Sequence, residues 1–307
     1  MSQPPKRKRR PVDGILLFDK PLGMSSNQAL QRVKFLYQAE KAGHTGSLDP
    51  LATGLLPICL GEATKYAQHL LDSDKVYQAR LRLGQRTTTA DAEGEIVQER
   101  PVSNLTPAAI EAVLARFRGD ILQVPSMFSA LKHEGRPLYE LARKGIEIAR
   151  EPRQVRIHRL VLLEQGMTEW AIEVACSKGT YIRNLVEDIG EALGCGAHVT
   201  SLRRLATGPF ALEPGRTLQD IIRLEADGGL PALDALLLPP WAALAHVPRA
   251  TLSQNQAYYI LHGNPVQAGG LPDAPEYLLF EGEDRFLGLG YRNADGLLAP
   301  RRLMRTQ

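Results

Sequence analysis

The sequence predicts an α+β protein with a mixed or antiparallel sheet and a small β-rich unit at its C-terminal end. Three observations predict it. Segments of period two and period 3.6 are interspersed without a regular strand–helix–strand rhythm. No GxGxxG or GxxxxGK motif opens a helix after a strand, so neither a dinucleotide site nor a P-loop is expected. Beyond about residue 247 the texture shifts to short apolar runs cut by the turn signals GED and NADG.

The elements follow in order. GILLFDKP (14–21) reads as a buried strand stopped by Pro21, and SSNQALQRVKFLYQ as a helix capped by Ser25, Ser26 or Asn27. KVYQARLRLG (75–84) sets Tyr77, Ala79, Leu81 and Leu83 on one face of a half-buried strand. TPAAIEAVLARFRG (106–119) has a Thr cap, Pro at its first helical position and a closing Gly119. TEWAIEVACSKG (168–179) alternates again. TYIRNLVEDIGEALG (180–194) then places Ile182, Leu185, Val186, Ile189 and Leu193 inward. TLQDIIRLEADGG and PALDALLLPP supply two short helices before a Pro-Pro break. The last sixty or so residues are few for a separate core, so they are expected to dock on the rest.

Composition excludes several classes. No apolar run approaches the roughly 20 residues of a membrane-spanning helix, and the basic N-terminus lacks the apolar stretch of a secretory signal. The three cysteines show no CxxC spacing and read as reduced residues of a cytoplasmic protein. The net charge of +3 is owed to Lys6, Arg7, Lys8, Arg9 and Arg10; without those five the chain carries −2. Residues 1–11 are therefore expected to be a disordered basic arm. Within the body, 132–159 holds eight Lys or Arg against four Glu, while 211–240 holds five acids against two arginines. Charge alone does not separate an RNA-binding stretch from a solvated surface.

The candidate chemistry lies in GHTGSLDPLATG (43–54). Three glycines allow close approach or positive φ, and Asp49, before Pro50, should project its carboxylate from an extended loop. An Asp before Pro also caps helices and closes turns, so the residues alone leave both readings open. No second carboxylate sits at a dyad spacing, and the seven histidines form no HExxH-like pattern. Paired-acid glycosidase chemistry and metal hydrolysis are thereby disfavoured.

GHTGSLDPLATGLLPICLGEATK resembles the active-site motif of TruB-type tRNA pseudouridine synthases. GILLFDKPLGMSSN, KVYQARLRLGQRTTTAD, VPSMFSALKHEGRPLYELARKG, CSKGTYIRNLVEDIG and HVTSLRRLATGPF agree in order, over roughly residues 12–247. The resemblance implies a pseudouridine synthase catalytic domain over 12–247 and a PUA-like RNA-binding domain over 248–307, the latter on a looser match. It implies conversion of uridine to pseudouridine in the T loop of tRNA, at uridine 55, with no cofactor and no metal. It further implies tRNA as the partner, and a monomer in the cytoplasm that needs no membrane and no protein partner.

The resemblance also assigns residues. Asp49 is the catalytic aspartate and Arg183 its basic partner, expected to hold the carboxylate ionised and to lower its pKa. By position alone Arg183 reads as a surface helix arginine. Tyr77 is the ring against which the target base packs, and Tyr181 a second pocket tyrosine close to the aspartate or ribose. Leu202 is an apolar wall. His44 is expected to fill the gap left by the flipped nucleotide, in preference to a proton-transfer pairing with Asp49. Lys20 is placed at the cleft edge, against phosphate or ribose. Lys132, Arg143 and Arg153, in an RNA-clasping insertion, would contact phosphate. Three alternatives remain: a non-catalytic tRNA chaperone, a job that can coexist with catalysis; the guide-RNA-dependent branch of the same family; and a metal hydrolase built on His44 and Asp49.

Overall fold

The computed structural model describes residues 9–103, 105–129 and 131–305, without the side chain of Lys132. Among them ten strands join in one mixed sheet. Its main path runs Arg216–Thr217, Gly14–Lys20, Ala52–Leu60, Ala197–Thr207, Lys75–Leu83, Glu169–Cys176, Arg153–Gln165, Gly119–Gln123. Ala42–His44 adds to Ala52–Leu60, and Phe210–Ala211 to Ala197–Thr207. Most neighbours are antiparallel, but Ala52–Leu60 runs parallel to Ala197–Thr207, and Gly14–Lys20 to Arg216–Thr217. In this central region Gly54, Arg204, Tyr77 and Val174 fall in one row across four strands. No helix among the described residues is long and apolar enough to cross a membrane.

Several helix signals act as expected. Ser25 accepts from the Gln28 amide at 3.2 Å and Gln28 accepts from the Ser25 amide at 2.8 Å, a capping box that starts helix Ser26–Leu36. Thr106 caps Pro107–Ala115. Gly119, however, does not close that helix. With φ at +83° it opens the edge strand Gly119–Gln123. Helix Leu218–Asp234 is broken at Gly229, whose φ of 63° and ψ of −156° split it into the two expected pieces.

Two features depart from the charge-based reading. The basic arm lies outside the described residues up to Lys8, but Arg10 is anchored. Its guanidinium forks onto Asp234 at 2.7 and 2.5 Å, its Nε donates to the Tyr37 carbonyl, and its backbone bridges Gln38 and Glu40. A bidentate pair with three backbone contacts outweighs the entropy of a free tail. The basic stretch 132–159 is also not one insertion. From Arg153 onward it is a strand of the main sheet, with Val155, Ile157 and Leu160 buried between exposed Arg156, His158 and Arg159. Before that, a hairpin and the helix Leu138–Ala142 pack their own small cluster of Met127, Leu138 and Leu141.

The C-terminal residues form a four-stranded sheet of Arg249–Leu252, Tyr277–Glu281, Arg285–Arg292 and Leu298–Leu303, covered by helix Gln254–Leu261. It docks as expected. Leu278, Phe280 and Leu289 join Ile15, Leu17, Leu55 and Tyr66 in one apolar cluster. Each such side chain contributes about 1.5–3 kcal/mol on full burial. Lys65 Nζ also donates to the Leu303 carbonyl at 2.7 Å.

Candidate active site

The segment 45–51 leaves strand Ala42–His44 and returns into strand Ala52–Leu60, so Asp49 is held at both ends. Ser26, buried in the first turn of its helix, clamps Leu48: its Oγ accepts from the Leu48 amide at 2.7 Å and donates to the Leu48 carbonyl at 3.0 Å. Gly23 N donates to Pro50 O at 2.9 Å, and Ala52 N to Asp49 O at 3.0 Å. Glycine is required twice here. Gly46 has φ +114°, and Gly54, at φ +99°, would set a Cβ 2.3 Å from the Arg204 carbonyl.

Arg183 is a buried helix arginine, 6% exposed, which corrects the surface reading of its position. It sits in the first turn of Ile182–Ala192, where the helix dipole disfavours a cation. Four groups offset this. Nη2 meets Asp49 Oδ2 at 3.0 Å and donates to the Phe128 carbonyl at 2.8 Å. Nη1 meets Asp91 Oδ2 and the Thr89 carbonyl, both at 3.1 Å. Asp91, 2% exposed, is fixed in turn by Thr89 Oγ1 at 2.6 Å and by the Glu93 amide at 3.1 Å. A second carboxylate thus reaches the site by folding, although none lies near Asp49 in sequence. Its turn includes Ala90 at φ 58°, an uncommon conformation for a non-glycine residue.

The electrostatics differ from the expectation in sign. Burial pushes the Asp49 carboxyl above its ordinary value; Arg183 and Lys20 pull it down, and Asp91 pushes it up again. The guanidinium therefore limits a rise instead of producing a fall. Its charge is shared between two carboxylates, Asp49 and Asp91.

A cavity of about 420 Å³ opens over Asp49. Tyr77, Tyr181, Arg183 and Leu202 line it together. Tyr77, 9% exposed, belongs to the apolar core and to the cavity wall at once, so a place in the core does not remove its ring from the cavity. Burial raises its phenol, with Arg204 opposing. The Tyr181 backbone is locked by Gln123, whose side chain accepts from its amide at 3.0 Å and donates to its carbonyl at 3.2 Å. Burial likewise raises the Tyr181 phenol. A larger cleft of about 610 Å³ lies on the other side of Arg183, between 124–150 and helix Ile182–Ala192. It contains neither Asp49 nor the tyrosines, so the smaller cavity is the candidate site.

His44 and Lys20 do not line this cavity. No ion pair joins His44 to Asp49 among the described residues. His44 Nδ1 is buried without a hydrogen-bond partner, and burial, aided by Arg204, lowers its pKa and favours the neutral ring. Lys20 corrects the cleft-edge placement. It is fully buried, and its Nζ donates to the Pro21 and Met24 carbonyls at 2.9 and 2.6 Å. Burial pushes it down to about 8, with the Asp49 charge opposing. It acts as an internal counter-charge, out of reach of a phosphate.

Sequence reasoning missed two buried cations on the wall. Arg204, 1% exposed, donates from Nε to the Leu55 carbonyl at 2.7 Å and from Nη2 to the Gly46 carbonyl at 3.1 Å, which ties the loop before Asp49 to the sheet. Lys75 donates to the carbonyls of Leu70 at 3.1 Å, Leu71 at 2.7 Å and Ser73 at 2.5 Å, and burial takes it to about 8. Of the phosphate candidates, Arg143 is exposed with its guanidinium over the Tyr139 ring, and Arg153 is exposed on its strand.

Fold and site together define a mixed-sheet protein with a guanidinium-bound carboxylate beneath an aromatic cavity. Known proteins agree with this class. The model "TruB family pseudouridylate synthase (N terminal domain)" matches residues 34–182, "tRNA pseudouridylate synthase B C-terminal domain" matches 183–245, and "Pseudouridine synthase II TruB, C-terminal" matches 248–304. The tRNA pseudouridine synthase B of Stutzerimonas stutzeri (strain A1501) is 56% identical over 305 residues, covering 98% of this chain and 99% of that one. That of Pseudomonas aeruginosa (strain UCBPP-PA14) is 55% identical over 304 residues, with the same coverage. Among solved structures, the chain matched in "Crystal Structure of a Cbf5-Nop10-Gar1 Complex" superposes with a TM-score of 0.72 at 26% identity, over 95% of this chain and 84% of that one. The chain belongs to the TruB family of pseudouridylate synthases.

Proposed function

We propose that the chain converts uridine to pseudouridine in the T loop of tRNA, at uridine 55, acting as a cytoplasmic monomer that needs no guide RNA or protein partner. The observation that carries this reading is Asp49, held by Arg183 at the floor of a cavity walled by Tyr77, Tyr181 and Leu202. The reaction breaks the bond from uracil N1 to ribose C1′ and forms one from C5 to C1′, with the C5 hydrogen leaving to solvent as a proton and N1 taking up a proton in return. A single ionised carboxylate suits it, either as a nucleophile or as a stabiliser of charge developing at the sugar. A base inside a folded loop must be extruded to reach Asp49. A neutral, half-buried His44 suits the stacking role, since an uncharged ring fills a base-sized gap at lower desolvation cost. The C-terminal sheet adds RNA contact, and exposed Arg143 and Arg153 hold phosphates and fix register.

The near-full-length identity to proteins named tRNA pseudouridine synthase B supports the stand-alone reading over the guide-dependent one. The test is an unmodified tRNA transcript incubated with this protein alone, followed by pseudouridine mapping. Conversion at uridine 55 is expected. Conversion only with an added guide RNA or partner protein would replace the stand-alone reading, and no conversion would overturn the function.

His44→Ala is expected to weaken T-arm turnover at limiting RNA by roughly tenfold to a hundredfold, the scale of one lost stack. Its rate at saturating RNA should stay within about threefold of wild type. A matching fall at saturation would return His44 to the chemistry.

A further inference from the structure

One charged pair spans the rim of the cavity. The cavity is walled on one side by Leu71 and Lys75, and on the other by Ser177, Gly179 and Thr180. Between these walls Lys178 Nζ meets Asp72 Oδ1 at 2.8 Å, with side-chain exposures of 61% and 45%. The neighbouring acid Asp74 is engaged separately by His158 at 3.0 Å. Asp72 lies at the last turn of helix Ala67–Asp72, where the dipole disfavours an anion. The end carbonyls of that helix are already taken by Lys75, so Lys178 is not needed to cap it. An exposed pair of this kind stabilises a fold little, and its cation remains exchangeable.

We propose that Lys178 is a phosphate-binding residue at the rim of the catalytic cavity, and that Asp72 holds it in the free protein until a substrate phosphate takes the carboxylate's place. The inference rests on the reading that RNA enters this cavity. A nucleotide whose base reaches Asp49 must carry its backbone over the rim. There the ammonium meets a group with more charge density and more acceptor oxygens than one carboxylate. Asp72 therefore screens the cavity against weak anions, and an incoming RNA displaces it.

The test is the affinity for a T-arm hairpin RNA, measured by fluorescence anisotropy at several KCl concentrations. Wild type, Lys178→Gln, Lys178→Arg, Asp72→Asn and the double variant Asp72→Asn/Lys178→Gln are compared. Lys178→Gln should reduce the slope of log K against log salt by about 0.7–0.9, the loss of one phosphate contact, and Lys178→Arg should retain it. Asp72→Asn should keep the slope and tighten binding about twofold to fivefold at low salt, because the competing carboxylate is gone. The double variant should match Lys178→Gln. An unchanged slope in Lys178→Gln would overturn the proposal. So would Asp72→Asn weakening binding as much as Lys178→Gln, since the pair would then be a brace for the cavity wall. Wild-type protein that fails to convert the hairpin would instead sink the function, and the inference with it.

Discussion

Asp49→Asn is expected to abolish pseudouridine formation, by at least about 10⁴-fold in rate, while RNA binding falls less than about tenfold. Stability should not fall with it. Asp49 is the carboxylate that burial pushes up, and Asp91 adds to that push. A carboxyl whose folded pKa exceeds its unfolded value contributes stability below the unfolded pKa and loses it as pH rises through the folded one. At neutral pH the charge is thus a cost to the fold. Asparagine removes it, and Arg183 keeps Asp91, Thr89 and Phe128 as partners. Thermal melts at pH 7 should give a Tm equal to or above that of wild type. As pH falls and the wild-type carboxyl takes up its proton, the difference should narrow. A lower Tm for the variant at pH 7 would make Asp49 a structural residue.

Arg183→Met should damage both fold and function. It leaves Asp91, 2% exposed, without its cation, and uncompensated charge of this kind costs about 3–5 kcal/mol. It also removes the main influence that restrains the rise of Asp49. More of the remaining enzyme is then protonated at any acidic pH, so the acid limb of kcat/KM moves to higher pH. Urea denaturation and a pH–rate profile measure the two effects separately. Adding Asp91→Asn should recover much of the stability by removing the orphaned charge, and little of the activity. A single variant as stable as wild type would deny the bridging role of the guanidinium.

Local signals were legible wherever short-range chemistry decides structure. The Ser25 and Thr106 caps, the alternation of 75–84 and the Gly229 break are each settled by neighbours within a few residues. The Asp49 loop was legible through its glycines, two of which meet a steric demand in the fold. The rest of the site depends on contacts across the chain. Arg183 flanks an apolar helix face, and its burial is made tolerable by groups far away in the chain: Asp49, Asp91 (92 positions earlier) and the Thr89 and Phe128 carbonyls. Asp91 ends the segment KVYQARLRLGQRTTTAD, and nothing local marks it as a partner of Arg183, whose burial shows only in the fold. The burial of Lys20 and Lys75 was not legible because their partners are backbone carbonyls, which carry no side-chain signature. Strand Arg153–Gln165 was hidden by a charge count, although Val155 and Ile157 alternate with Arg156 and His158 as a half-buried strand requires.

The central claim is that one carboxylate, Asp49, held by Arg183, carries the chemistry on a flipped base. Tritium release from tRNA transcript labelled at C5 of uridine tests it most directly, with protein in excess over RNA so that a single turnover is read. Wild type should release the label of uridine 55 in one exponential phase, and Asp49→Asn, bound to the same RNA, should release none. Appreciable release by the bound Asp49→Asn protein would contradict the claim.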